Sequence, residues 1–109
     1  MAIKIVVSDT VSFKVQGSIN DAAGIAQPFS FTLKCSRLNT EDLQSKIKSD
    51  GDVIDFLNDV IEDWSGVKDA DDKPLPYTEA SLRALCTLPG ISMIAYRTYL
   101  TECGAKEKN

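Results

Sequence analysis

The chain alternates early. Val11, Phe13, Val15 and Ile19 are separated by Ser12, Lys14, Gln16 and Ser18, a period of two that gives a half-buried strand one apolar face. Ile3, Ile5 and Val7 share that parity, so the segment reads either as one long strand or as two short ones bent at Ser8-Asp9-Thr10. Phe29, Phe31, Leu33 and Cys35 alternate with Ser30, Thr32 and Lys34, and Asn20-Asp21-Ala22-Ala23-Gly24 supplies the turn between the runs. The pattern predicts an antiparallel β-hairpin, or a small meander if a third strand joins. Two or three strands are marginal alone, so their apolar face must meet helices or another chain.

From Thr40 the period lengthens. Thr40 is expected to N-cap a helix carrying a thin stripe, Leu43 and Ile47, with Lys46 and Lys48 at its end. Gly51 breaks this run. Asp52 caps a stronger helix in which Val53, Phe56, Leu57, Val60, Ile61 and Trp64 fall at i, i+3, i+4, i+7, i+8 and i+11. Ser65-Gly66 is the expected stop. Pro74 and Pro76 forbid regular helix in the loop that follows. Thr78 is expected to cap a short helix with Leu82, Leu85 and Cys86. Leu88-Pro89-Gly90 then turns the chain into a last helix from Ile91 to Cys103, stopped by Gly104. That helix is apolar over more than one stripe, which calls for deep burial or a second molecule. The expected fold class is α+β: an N-terminal antiparallel β-hairpin or small meander followed by three to four α-helices. The expected organisation is a single domain, 1–109, with a β-rich half (1–38), a helical half (39–104) and a frayed tail (105–109).

Length and composition narrow the class. At 109 residues, 43% hydrophobic and 26% charged, one globular core is feasible and a two-domain enzyme is not. No apolar run approaches the ~20 residues of a bilayer span, and the apolar start is too short for a secretory signal. Membrane is therefore not an expected partner. Net charge is −4, and residues 39–82 hold twelve of the sixteen acids. That balance argues against nucleic acid. The helix–Leu-Pro-Gly–helix segment does not alter this reading, because Arg97 is the one base on its second helix and phosphate contacts need several.

Candidate chemistry is sparse. There is no histidine, which removes Ser-His-Asp and Cys-His hydrolysis and the commonest general base. Cys35, Cys86 and Cys103 form no Cys-x-x-Cys pair and read as small apolar fillers in a reducing compartment. Cys35, near Lys34 and Arg37, alone has the electropositive surroundings a reactive thiolate needs, but it sits in a strand pattern. Asp69, Asp71 and Asp72 suggest a calcium loop, yet Pro74 and Ala80 stand where that loop requires Gly and Glu. Catalytic, cofactor and metal roles are not expected.

Binding residues are easier to nominate. Asp52, Asp55, Asp59, Glu62 and Asp63 are expected along one helix face, with Asp55–Asp59 and Asp59–Asp63 repelling at about 0.2–0.5 kcal/mol each. The face is either merely solvated or is met by basic groups of another surface in a salt-dependent association. Trp64, Leu75, Tyr77, Tyr96 and Tyr99 are large groups near loops and helix ends, the residue types that anchor interfaces. For each the competing reading is core packing. Trp64 completes a helix stripe, whereas a tyrosine phenol prefers one wet end.

Three blocks carry a resemblance. Trp64-Ser65-Gly66-Val67, then Leu75-Pro76-Tyr77-Thr78-Glu79-Ala80-Ser81-Leu82, then Leu85, Leu88-Pro89-Gly90-Ile91 and Ala95-Tyr96 resemble the tail assembly chaperones of long-tailed phages (siphophage type). That family shows a "W-x-G-V/I" segment, an "LPFSxExL"-like stretch, a short helix and a terminal helix with an Ala-Tyr pair. Tyr77 stands where phenylalanine is usual. The resemblance covers residues 53–100 by motif and the remainder by layout. It implies a non-enzymatic protein of the host bacterial cytoplasm that binds and solubilises the tape measure protein and promotes tail tube polymerisation. The implied partners are the tape measure protein and the major tail tube protein; further copies of the chain are expected separately, from the small core and the broadly apolar last helix. The expected partner-binding residues are Trp64, Leu75, Pro76, Tyr77, Tyr96, Tyr99, Asp59, Glu62 and Asp63. The rival reading is a structural tail component, a tube or connector subunit kept in the virion.

Overall fold

The computed structural model describes residues 9–48 and 52–104. Its order is β1 (Thr10–Asn20), β2 (Ala26–Ser36), α1 (Thr40–Lys48), α2 (Val53–Val60), β3 (Ile61–Ser65), α3 (Glu79–Leu85) and α4 (Ile91–Cys103). The strands form one antiparallel sheet in the order β1-β2-β3. Among the described residues the α+β class, with a hairpin first and four helices, is as the sequence predicts. The strand reading of Ile3, Ile5 and Val7, the break at Gly51 and the tail 105–109 lie outside the described residues.

The hairpin follows the alternation. Phe13 pairs with Leu33, Val15 with Phe31 and Val11 with Cys35. Phe13, Val15, Phe31, Leu33 and Cys35 are all buried, while Ser12, Lys14, Gln16 and Lys34 point to the open face and are exposed. Farther along, Gly17 faces Phe29, whose ring occupies the space a Gly17 Cβ would need, 2.6 Å away. A glycine lets that aromatic ring lie across the neighbouring strand.

The helices cover the apolar face. Ile91, Ala95 and Tyr99, spaced at i, i+4 and i+8, are the buried row of α4 and face the sheet through the contact of α4 with β1. Phe56, Leu57 and Val60 of α2 complete the core. Phe56 meets Tyr96 and Tyr99 edge-on at centroid distances of 5.2 and 5.6 Å. Two expected caps hold: the Asp52 side chain accepts from the Ile54 N–H, and Thr78 and Ser81 form a reciprocal capping box. A third shifts by one residue. Asn39, not Thr40, caps α1, its Oδ1 accepting the Asp42 N–H at 2.8 Å.

One expected element changes type. The helix predicted to run from Val53 to Trp64 ends at Val60, and Ile61–Ser65 is a strand. Its register explains the helical look of the sequence. Leu33 pairs with Trp64, Lys34 with Asp63, and Cys35 with Ile61, which leaves Glu62 as the extra residue of a β-bulge. The bulge flips parity, so Ile61 and Trp64, three apart, both face the core. That i, i+3 spacing imitates a helix stripe. The extended conformation also frees Glu62 and Asp63 from a helix C-terminus, where negative charge is disfavoured. It sets Asp63 opposite Lys34 instead.

Candidate binding surface

Trp64 lies at the centre of the first nominated group. The β3 pairing turns its indole inward, and its Nε1–H donates to the Leu75 carbonyl at 2.7 Å. The Tyr77 ring stands edge-on to it at 5.0 Å. The Tyr77 hydroxyl donates to Asn58 Oδ1 of α2 at 2.9 Å, and burial pushes its phenol pKa up. Gly66 makes the turn out of β3 with φ +85, a left-handed conformation, and a Cβ there would stand 3.3 Å from the Phe31 Cα. The loop returns so that the Leu75 N–H donates to the Val67 carbonyl at 2.9 Å. The first two motif blocks are thus one folded unit. Trp64 is 7% exposed and is core. Leu75 and Tyr77 are half-buried, and Pro76 is exposed.

The remaining nominated residues divide. Tyr99 is completely buried, and its hydroxyl donates to the Ser36 carbonyl at 2.8 Å. It is removed from the contact surface, because a phenol with its one polar atom satisfied inside the core offers a partner nothing. Tyr96 is half-buried against Phe56. Tyr96 and Tyr99 share Phe56, whereas Tyr77 packs on Trp64 and bonds to Asn58.

The acidic face is also rearranged. Asp59 pairs with Lys46 of α1 at 3.2 Å, and Asp55 with Arg83 of α3 at 2.7 Å. Within the chain, Lys46 and Arg83 already relieve the repulsion along α2. Glu62 and Asp63 sit exposed on β3, outside that helix. Asp69 shapes its own loop, its Oδ1 accepting the N–H groups of Asp71 and Lys73. Cys35 is buried, and desolvation raises its pKa from 9.0 to about 12. Its thiolate is therefore suppressed, despite the nearby bases in sequence.

A surface the sequence reading did not nominate is a groove of about 160 Å3. It is lined by Ile19, Phe29 and Phe31 from the hairpin, Gly66 and Val67 after β3, and Leu85, Leu88 and Ile91 around the α3–α4 turn. Lys68 is the one charged residue in that lining. Ile19 and Leu88 remain 40% and 42% exposed. The available signal was the motif blocks themselves, which supply Gly66, Val67, Leu85, Leu88 and Ile91. Against the quoted family pattern, Ala80 takes the glutamate position, and Ser81 closes the helix cap in this chain. No helix among the described residues is long and apolar enough to cross a membrane. The chain matches no protein-family model, no curated protein and no solved structure.

Proposed function

We propose that this chain is a tail assembly chaperone of the long-tailed phage type. On this reading it acts by binding in the host bacterial cytoplasm, keeping the tape measure protein soluble and promoting polymerisation of the major tail tube protein around it. The observation that carries the reading is where the resembling blocks converge: Gly66, Val67, Leu85, Leu88 and Ile91 all contribute to one apolar groove. A long helical client presents apolar stripes that aggregate in water. A groove between a hairpin and a helix turn, lined by aliphatic and aromatic groups with a single charge, suits such a stripe. The net charge of −4 supports solubility of the loaded complex.

The test is co-expression with a tape measure protein from the same genome. The wild-type chain is expected to hold that protein in the soluble fraction and to be captured with it. Leu88→Asp, which puts a charge on an exposed groove wall, is expected to lose capture while keeping its circular dichroism spectrum. Failure of the wild type to solubilise or capture the client would overturn the proposal. Abundant chain in purified mature virions would favour a retained structural component instead.

A further inference from the structure

The tip of the hairpin is a built turn. The Asp21 Oδ1 accepts the N–H groups of Ala23 and Ile25 at 2.9 and 3.0 Å, and Oδ2 accepts from Gln27 Nε2 at 2.9 Å. The Asp21 N–H in turn donates to the Ile25 carbonyl at 2.9 Å. This network ties the Ile25 backbone into the turn and leaves the residue 60% exposed, the highest among the exposed large apolar residues described. A single exposed apolar side chain ordinarily needs no explanation. Here it stands on a pre-organised turn, in a chain that also carries an open apolar groove.

We propose that the groove takes the hairpin tip of a second copy of this chain, with Ile25 between Leu85, Leu88 and Phe29 and with Asp21 beside Lys68. Size is the first argument. The groove measures about 160 Å3, and a void of roughly 150 Å3 accommodates a benzene-sized group, so an isoleucine side chain fits. Charge is the second. Between residues 20 and 27 Asp21 is the one charged side chain, and Lys68 is the one charge of the groove lining. The two are opposite. Lys68 is otherwise engaged by Asp72 at 3.5 Å, in a pair whose side chains are 55% and 85% exposed, and an ion pair so open to solvent is weak and readily exchanged. Because the turn is pre-ordered, little conformational freedom is lost on docking. Tip and groove are different surfaces of one chain, so each copy offers both halves of the contact.

The inference stands apart from the proposed function, since it concerns two copies of this chain and is read from mass alone. If both hold, client and second copy compete for one groove. Sedimentation of the purified chain across a concentration series is the test. The weight-average mass of the wild type is expected to rise with concentration. Ile25→Asp and Leu88→Asp are each expected to weaken association about tenfold or more with unchanged circular dichroism. Mixing the two variants is expected to restore association, because one retains an intact groove and the other an intact tip. A wild type that stays monomeric overturns the inference. So does association surviving in either variant, or a mixture no better than its components. Ile25→Asp should still capture the client, so a failure of this inference and a failure of the proposed function are told apart.

Discussion

Tyr99 carries the sharpest test of how the core is built. The side chain is fully buried, packs edge-on to Phe56 and tilted against Phe13, and donates its hydroxyl hydrogen to the Ser36 carbonyl at 2.8 Å. Tyr99→Phe keeps the ring and removes the donor to the part-buried Ser36 carbonyl; the expected loss is about 1–2 kcal/mol. Tyr99→Ala also removes the ring and opens a cavity between α4 and the sheet, for a loss of about 4 kcal/mol. Domains of this size hold roughly 5–15 kcal/mol in total, so the alanine variant should sit near the edge of folding and the phenylalanine variant should not.

Urea unfolding reads both changes. Trp64 is the only tryptophan and is buried, so its fluorescence reports the loss of the core directly. The midpoint should move while the slope of stability on urea stays constant. Burial also raises the phenol pKa, so stability linked to this group is present below the ordinary tyrosine value and falls as pH rises beyond it. An alanine variant as stable as the wild type, with a wild-type phenol ionising at ordinary alkaline pH, would return Tyr99 to the surface and refute the packing described for α4.

Three further outcomes are expected. Gly66→Ala should cost about 1–2 kcal/mol in thermal or urea unfolding, because φ is +85 at that position and an L side chain is strained there. Cys35 should resist thiol reagents in the native protein and react on unfolding; with its pKa raised from 9.0 to about 12, its contribution to stability is complete below pH 9 and is lost as pH climbs toward 12. Asp21 has its pKa lowered, first by the Gln27 hydrogen bond and then by the Ile25 N–H. Its support of the turn should therefore persist above 3.8 and fade as pH falls through the lower folded value, seen in the amide shifts of Ala23 and Ile25.

Much of the fold was legible because local and tertiary signals agree. Strand alternation in β1 and β2, the Asp52 and Thr78 caps, and the α4 boundaries each follow from a pattern that packing then reinforces. The segment from Ile61 to Ser65 looks helical in sequence for a specific reason. A bulge at Glu62 puts Ile61 and Trp64 on one face, and a parity flip produces the same spacing as a helical turn. No window confined to residues 53–65 distinguishes the two. What decides it is the partner: Leu33 and Cys35 on β2 offer a row onto which Trp64 and Ile61 register, and that row lies 26 or more positions earlier in the chain.

The groove was hidden by the opposite circumstance. Ile19, Phe29, Val67, Leu85, Leu88 and Ile91 each satisfy a local rule for core residues, and several are core in part. They form a surface where the hairpin runs on past Gly17, beside Ile94 of α4, to Ile19 and Phe29, which share one groove with Val67 after β3 and with Leu85, Leu88 and Ile91 around the α3–α4 turn. A shorter hairpin, ending near Val15 and Phe31, would have closed the core with fewer exposed side chains and no groove. The extra length adds exposed isoleucines at positions 19 and 25, so it works against the stability and solubility of an isolated chain. It becomes useful once another surface covers them, and this is why the arm is where both a client stripe and a second copy are best sought.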